Sequence, residues 1–206
     1  MCGISGIWDL DKNRSSDLPK IIRKMSGTLE SRGPDDQGIW INNVNKICFG
    51  HKRLSILDLS QLGRQPMVKD RFVITYNGEI YNHIELRNSL PDGKYVFKGN
   101  GDTETLISSF DHYGIIKTVE KLNGMFAFAI YDKEKRQVFL CRDRLGIKPL
   151  YYMFYNERLL FASEIKAIRS VLESKLTINK KAIFDYLLFN RTDIHEETFV
   201  NEIKRI

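Results

Sequence analysis

The 206-residue sequence predicts an α+β protein in which helices cover antiparallel β-sheets. Between Phe126 and Tyr131 both alternating sets of side chains are apolar, which is typical of a strand that is covered on both faces. Strand-like segments around it follow one another at hairpin distances, which favours antiparallel pairing. Apolar residues at helical spacing occur towards both ends of the chain. A doubly covered sheet between helices predicts layered packing.

The N-terminal quarter predicts a strand, a helix and a hairpin, in that order. The strand covers residues 4–10. The helix ends before the sequence Arg32-Gly33-Pro34 and carries five apolar residues at helical spacing: Leu18, Ile21, Ile22, Met25 and Leu29. Residues 38–41 and 47–51 have strand-like composition and flank the turn signal Asn42-Asn43, so they predict a β-hairpin.

The next segment predicts alternating strands and helices. Residues 53–59 lead into a loop containing Gly63 and Pro66, and a strand over residues 72–76 is expected to end in a tight turn at Asn77-Gly78. A helix over residues 80–90 and a short strand over residues 95–98 follow. Asp102 is then placed to cap a helix that carries Leu106, Ile107 and Phe110.

The C-terminal half predicts an antiparallel meander followed by helices. Strands are expected over residues 126–131, 138–142, 150–154 and 159–162, with residues 133–136 at a hairpin tip. Helices are expected over about residues 163–171 and 180–189, before a polar tail. We expect residues 1–175 to form one domain and residues 176–206 a C-terminal helical segment that links it to a further domain.

Composition narrows the classes of function. No apolar run is long enough to span a membrane and no signal-peptide pattern opens the chain, so we expect a cytoplasmic protein that binds no membrane. The net charge of +6 comes from basic residues scattered among acidic ones, which does not indicate a nucleic-acid surface. Neither the three cysteines nor the four histidines have metal-site spacing, so we expect no metal.

The first residues carry the strongest chemical signal. Removal of Met1 would make Cys2 the amino terminus, so that a thiol and a free α-amine share one residue. An α-amine has a pKa of about 7.7–8.0 and a cysteine thiol of about 8.5, so near neutral pH the amine can accept the thiol proton. Cys2 is therefore a candidate nucleophile with a built-in general base.

Several motifs join this N-terminus in a fixed order. They are Met1-Cys2-Gly3-Ile4, Arg32-Gly33-Pro34-Asp35, Arg53-Leu54-Ser55-Ile56, Asn77-Gly78-Glu79-Ile80-Tyr81-Asn82, Gly101-Asp102, the segment 124–129 and the segment 142–150. Over about residues 1–170 the sequence resembles the glutaminase domain of class II glutamine amidotransferases, which are N-terminal nucleophile hydrolases. The resemblance is greatest to the domain that opens glutamine-hydrolysing asparagine synthetases.

The resemblance implies a fold and a reaction. The fold is a four-layer αββα sandwich of two antiparallel sheets. The reaction is hydrolysis of the side-chain amide of L-glutamine to glutamate and ammonia through a thioester on Cys2. No cofactor is expected for this step. The ammonia would serve an asparagine-synthetase-type acceptor domain or subunit outside this chain, where ATP and Mg²⁺ would be needed.

Each further candidate residue has a role that suits its chemistry. Asn77 and Gly78 offer an amide NH₂ and a backbone N–H for the oxyanion hole. Arg53 can bind the substrate carboxylate with two parallel hydrogen bonds. The resemblance adds backbone contacts from Leu54, Ser55, Ile56 and Leu57, and assigns the α-ammonium group to Asp102 with help from Glu79. The segment 32–35 is interpreted as a loop near the site without a chemical role.

Three alternatives stay open at this stage. The same glutaminase chemistry could serve another acceptor, such as a sugar of a surface polysaccharide, an amino sugar or a purine precursor. The domain could also be a non-catalytic module that senses glutamine. Nucleic-acid binding would rest on net charge alone.

Overall fold

A computed structural model describes residues 1–11, 13–15, 17–55, 61–192 and 196–206. The described chain contains ten strands and six α-helices. The strands are β1 (Gly3–Asp9), β2 (Asp36–Asn42), β3 (Ile47–Arg53), β4 (Met67–Lys69), β5 (Phe72–Ile80), β6 (Gly124–Asp132), β7 (Gln137–Arg142), β8 (Tyr151–Tyr155), β9 (Arg158–Ala162) and β10 (Lys204–Arg205). The helices are α1 (Leu18–Gly27), α2 (His83–Asn88), α3 (Asp102–Tyr113), α4 (Ile115–Lys121), α5 (Ile165–Arg169) and α6 (Lys180–Phe189).

The strands form two antiparallel sheets that pack face to face. The first sheet has six strands in the order β10-β8-β9-β1-β3-β2, and the second has four in the order β4-β5-β6-β7. Between the sheets lies an apolar layer that includes Ile4 and Phe49 from the first sheet and Val73, Ala127 and Tyr131 from the second. The prediction of antiparallel sheets with a doubly covered strand at β6 is confirmed.

Helices cover the outer face of each sheet. Ile22 of α1 and Ile168 of α5 are buried against the first sheet, while Leu106 and Phe110 of α3 are buried against the second. The side chain of Asp17 accepts a hydrogen bond from the N–H of Lys20, which explains where α1 begins. The architecture is the predicted four-layer αββα sandwich.

The predicted tight turn at Asn77-Gly78 is wrong. Strand β5 continues to Ile80, and Gly78 lies opposite Phe126 of β6. A Cβ atom on Gly78 would lie 2.3 Å from the carbonyl oxygen of Met125, so the glycine permits close approach of two strands here. The dipeptide Asn-Gly is compatible both with a tight turn and with a glycine inside a strand. The local sequence therefore does not distinguish the two.

The predicted C-terminal meander is also wrong. Strand β7 pairs with β6, but β8 and β9 belong to the first sheet. The chain leaves the second sheet at Asp143, whose carboxylate accepts hydrogen bonds from four backbone N–H groups, those of Phe126, Leu145, Ile147 and Lys148. This compact turn redirects the chain, so hairpin spacing does not lead to pairing between β7 and β8.

Smaller differences concern helix limits and short elements. The predicted helices 80–90 and 163–171 are reduced to α2 and α5, α4 was not predicted, and residues 95–98 form no strand. The polar tail contains β10, which pairs with β8, and Ile203 is fully buried beside it. Of the predicted segment 53–59, residues 56–59 lie outside the described residues. Within the described ranges, the helices are all too short or too polar to cross a membrane.

Candidate active site

A pocket of about 120 Å³ lies where β1 begins and where β3 and β5 end. Its lining includes eight of the ten predicted site residues: Cys2, Arg53, Leu54, Ser55, Asn77, Gly78, Glu79 and Asp102. The other two, Ile56 and Leu57, lie outside the described residues. A larger cavity of about 230 Å³ lies beside α6, but its described lining contains no cysteine or histidine. The smaller pocket is the one that gathers chemically reactive groups.

Strand pairing places Cys2 at the pocket. Gly3 pairs with Lys52, so the residue before β1 meets the residues at the end of β3. The N–H of Leu54 lies 3.4 Å from Cys2 Sγ, and Cys2 Sγ lies 3.6 Å from the carbonyl oxygen of Leu54. The thiol is partly exposed, in contrast to that of Cys48.

The loop that begins at Arg32 holds this arrangement. Arg32 Nε donates to the carbonyl oxygen of Cys2 over 2.9 Å, and Arg32 Nη1 pairs with Glu164 Oε1 at 3.1 Å. Asp35 Oδ2 accepts from the N–H of Ser55 over 2.7 Å. The loop was predicted to lie near the site, and it binds the backbone on both sides of the pocket. Its contacts position Cys2 and Ser55.

Asn77 presents a donor without a protein partner. The residue is 2% exposed, and its Nδ2 atom is buried with no hydrogen-bond partner among the described residues. A buried amide without a partner costs about 1–3 kcal/mol, so its persistence here favours a ligand oxygen as the missing acceptor.

The backbone N–H of Gly78 points away from β6, at the edge of β5 that borders the pocket. In an antiparallel pair, alternate residues of a strand direct their N–H groups away from the partner strand. Tyr76 N–H donates to Gln65 Oε1 over 2.7 Å, and Ile80 N–H donates to Asp102 Oδ2 over 2.9 Å, so both point away from β6. Gly78 lies between them in this alternation and lines the pocket. The side chain of Asn77 and the backbone of Gly78 thus offer two donors to one space.

The predicted N-cap role of Asp102 is wrong. Asp102 is the first residue of α3, Gly101 precedes the helix, and no side chain caps it. The Asp102 carboxylate instead binds across to β5, where Oδ2 accepts from Tyr76 Oη over 2.5 Å and from the N–H of Ile80. Burial and the neighbouring Asp102 carboxylate raise the pKa of Tyr76 well above its ordinary value. Tyr76 therefore stays protonated, and its O–H donates the hydrogen bond to Asp102.

The pocket contains charges of both signs. Arg53 ends β3 and is 7% exposed, Asp102 is 6% exposed, and Glu79 is partly exposed. An amino acid in its zwitterionic form carries one positive and one negative group. The oppositely charged side chains of the pocket can bind these two groups.

Sequence reasoning missed several polar residues of the lining, among them Gln65, Tyr76 and Lys148. Lys148 lies in the segment 142–150, which was used only for the resemblance, and Gln65 lies in a loop that gave no signal. Tyr76 has the pattern of a core residue of a strand. None of the three could be assigned to the site until the strands were paired.

The remaining cysteines and His51 lie apart from the predicted chemistry. Burial raises the pKa of Cys48 to about 12 and that of Cys141 to about 11. Burial, assisted by the charge of Arg53, lowers the pKa of His51 to about 3, so its ring is neutral. In the part of the chain that the structure describes, no three His, Cys, Asp or Glu side chains are grouped as metal ligands.

Comparison with known proteins agrees with this geometry. Residues 1–206 match the glutamine amidotransferase domain family. Glutamine-hydrolysing asparagine synthetase 2 of Bacillus subtilis is 41% identical over 209 residues, which cover 98% of the chain and 27% of that protein. Glutamine-hydrolysing asparagine synthetase 3 of Bacillus subtilis is 39% identical over 187 residues, which cover 89% of the chain and 30% of that protein. The chain thus spans less than a third of the length of these two relatives.

A solved structure shares the fold. The glutamine phosphoribosylpyrophosphate amidotransferase of Bacillus subtilis, in complex with ADP and GMP, superposes with a TM-score of 0.69 at 20% identity. The superposition covers 98% of the chain and 54% of that structure, so both sheets and their helices are included. With its fold and its match over residues 1–206, the chain belongs to the glutamine amidotransferase domain family.

Proposed function

We propose that this domain hydrolyses the side-chain amide of L-glutamine to glutamate and ammonia, with Cys2 as the nucleophile. The observation that carries the proposal is the convergence of a partly exposed thiol and two hydrogen-bond donors in one pocket. A thiol nucleophile and a pair of oxyanion donors are what acyl transfer from an amide requires.

The first half of the reaction forms a thioester. With Met1 removed, the α-amine of Cys2 takes the thiol proton, directly or through water, and Sγ attacks the amide carbon. The oxygen of the tetrahedral intermediate accepts hydrogen bonds from Asn77 Nδ2 and the N–H of Gly78. Loss of one such donor typically lowers the rate by about 10²–10³-fold. The carbon–nitrogen bond then breaks, and the α-ammonium group returns its proton to the leaving ammonia.

The second half of the reaction restores the enzyme. The α-amine accepts a proton from water as the water oxygen attacks the thioester carbon. The carbon–sulfur bond breaks, Sγ leaves as a thiolate and recovers the proton, and glutamate is released. No cofactor takes part in either half.

Substrate recognition uses the charges of the pocket. Arg53 binds the α-carboxylate, and Asp102 with Glu79 binds the α-ammonium group. Leu54 and Ser55 supply backbone contacts, and we extend this proposal to Ile56 and Leu57. A planar guanidinium matches a carboxylate with two parallel hydrogen bonds, which fixes the orientation of the substrate as well as its affinity.

The test compares the wild-type chain with Cys2→Ala after intact mass has established the amino terminus. The wild type should form glutamate and ammonia from glutamine in equal amounts, and Cys2→Ala should form neither. Cys141→Ala is the matched control and should retain activity. Glutamine binding without hydrolysis by the wild type would contradict the proposal and support a glutamine-sensing module.

We propose an acceptor of the asparagine synthetase type for the ammonia. Support comes from the relatives, which are named glutamine-hydrolysing asparagine synthetases and are more than three times as long as the matched region. ATP and Mg²⁺ would act in the acceptor domain, and residues 176–206 would lead towards it. Cells given glutamine with an isotope-labelled amide nitrogen should place the label in the asparagine side chain, and Cys2→Ala should reduce this transfer. Unchanged labelling of asparagine would contradict this branch and leave another acceptor, such as a sugar.

A further inference from the structure

One oxygen of the Asp102 carboxylate is fully engaged by the protein. Asp102 Oδ2 accepts from Tyr76 Oη over 2.5 Å and from the N–H of Ile80 over 2.9 Å. Among the described residues no donor reaches Oδ1, and Asp102 lines the pocket. The two oxygens are therefore divided between β5 and the pocket.

The tyrosine that holds Oδ2 is itself rigidly placed. Tyr76 is 3% exposed and belongs to the apolar layer between the second sheet and its helices, where Leu106 of α3 also packs. Its backbone N–H is bound by Gln65 Oε1 over 2.7 Å. The buried hydroxyl donates its single hydrogen bond to Asp102.

Helix capping does not explain this contact. The Asp102 side chain makes no capping hydrogen bond at the start of α3 and bonds instead to residues of β5. Placement in the first helical turn favours the negative charge, since the N-terminal end of a helix carries partial positive charge. The helix therefore stabilises the charge, and Tyr76 sets the direction of the carboxylate.

We propose that Tyr76 is a positioning residue for substrate recognition, holding Asp102 Oδ2 so that Oδ1 faces the α-ammonium group of glutamine. The inference rests on the proposed function. Tyr76 does not touch the reacting amide, so its loss should weaken binding of the ammonium group and leave the chemical step intact. A charge-assisted hydrogen bond between neutral and ionised groups is about twice as strong as one between neutral groups, so the effect should be measurable.

The test is Tyr76→Phe, which keeps the ring in the core and removes only the hydroxyl. The KM for glutamine should rise about tenfold, equivalent to about 1.4 kcal/mol, while kcat stays within about twofold. The inhibition constants of L-glutamate and glutarate separate positioning from general damage, because glutarate lacks the α-ammonium group. Tyr76→Phe should weaken inhibition by L-glutamate and leave inhibition by glutarate unchanged.

A double-mutant cycle tests whether Tyr76 acts through Asp102. Asp102→Asn should raise the KM by itself, and adding Tyr76→Phe to it should raise the KM no further. Tyr131→Phe is the matched control. Tyr131 is a buried tyrosine of β6 whose hydroxyl has no hydrogen-bond partner in the described ranges, so its removal should leave the KM unchanged.

The outcomes separate this inference from the proposed function. A wild-type chain that does not hydrolyse glutamine would overturn both. Normal hydrolysis by the wild type with an unchanged KM in Tyr76→Phe would overturn the inference alone. Equal weakening of L-glutamate and glutarate, or additive effects in the double mutant, would also overturn it, because these results indicate a general structural role.

Discussion

Arg32 Nε donates a hydrogen bond of 2.9 Å to the carbonyl oxygen of Cys2, so a residue from outside β1 fixes the backbone of the proposed nucleophile. The same guanidinium pairs with Glu164, which follows β9. Burial by itself would raise the pKa of Glu164, but its bonds to Lys166 and Arg32 lower it, so the partner of Arg32 remains ionised. Arg32 thereby joins the N-terminus to the segment that follows β9, the strand that pairs with β1.

Arg32→Lys should lower kcat by about tenfold to a hundredfold, since small displacements of a reacting atom carry penalties of this order. Lysine keeps the positive charge, but it has one ammonium nitrogen. It cannot bind Cys2 and Glu164 through two nitrogens held at a fixed spacing, as the planar guanidinium group does. Steady-state kinetics on glutamine provide the measurement. Arg71→Lys, which changes an arginine paired with Asp132 and Glu134, is the control and should retain kcat. An unchanged kcat in Arg32→Lys would rule out the positioning role.

The glutamine analogue 6-diazo-5-oxo-norleucine should label Cys2 alone. At neutral pH almost no thiolate exists at Cys48 or Cys141, because burial raises the pKa of these thiols to about 12 and about 11. Peptide mass spectrometry after labelling locates the adduct, and Cys2→Ala should take up none. An adduct chiefly on Cys48 or Cys141 would contradict the assignment of the nucleophile.

Gly78→Ala should lower both stability and glutaminase activity. The new Cβ would lie 2.3 Å from the carbonyl oxygen of Met125 and 2.7 Å from Phe126 Cα, so β5 and β6 must separate. Such overpacking typically costs about 1–3 kcal/mol. Gly27→Ala, at a position with no atom within 4 Å, should leave stability unchanged or raise it. Urea denaturation measures both variants, and equal stabilities would show that β5 and β6 tolerate the added atom.

Retention of Met1 should nearly silence the chain without unfolding it. Met1 lines the pocket and is 52% exposed, so it contributes little to the core. With Met1 present the nitrogen of Cys2 is a non-basic amide, and the lost proton transfers are worth typically about 10²–10⁴ in rate. Preparations with and without Met1, identified by intact mass, should share a melting temperature and differ in rate. Equal rates would mean that the α-amine is not the base.

His51 should make the protein less stable as the pH falls from about 6.5 towards 3. Its folded-state pKa is lowered to about 3, chiefly by burial, so in this interval the unfolded chain binds a proton that the folded chain does not. The free energy of unfolding should fall by up to about 1.4 kcal/mol per pH unit from this residue.

His51→Gln should flatten that part of the pH dependence, because glutamine cannot take up the proton. His112→Gln, at a partly exposed position, is the control and should keep the wild-type slope. Urea denaturation at several pH values between 4 and 7 provides the comparison. Equal slopes for wild type and His51→Gln would contradict a neutral, buried His51.

Local pattern was sufficient for several features of the fold. The doubly apolar segment Phe126 to Tyr131 correctly predicted a strand buried on both faces, because side-chain alternation alone defines which faces are covered. The helical spacing from Leu18 to Met25 likewise predicted α1. The order of the motifs from Cys2 to Asp102 was enough to identify the family. The predicted site residues that the structure describes line one pocket.

Tertiary structure decided which strands pair and how the polar groups of the pocket are oriented. Spacing along the chain placed β8 beside β7, whereas burial of Leu160 and Phe161 places β8 and β9 in the first sheet. Asn77 and Tyr76 are sequence neighbours that face opposite sides of β5. The side-chain amide nitrogen of Asn77 is therefore left without a partner among the described residues, whereas the hydroxyl of Tyr76 binds Asp102. Strand pairing and register depend on burial between segments that are distant in sequence. The local propensity of each segment does not specify which distant segment it packs against.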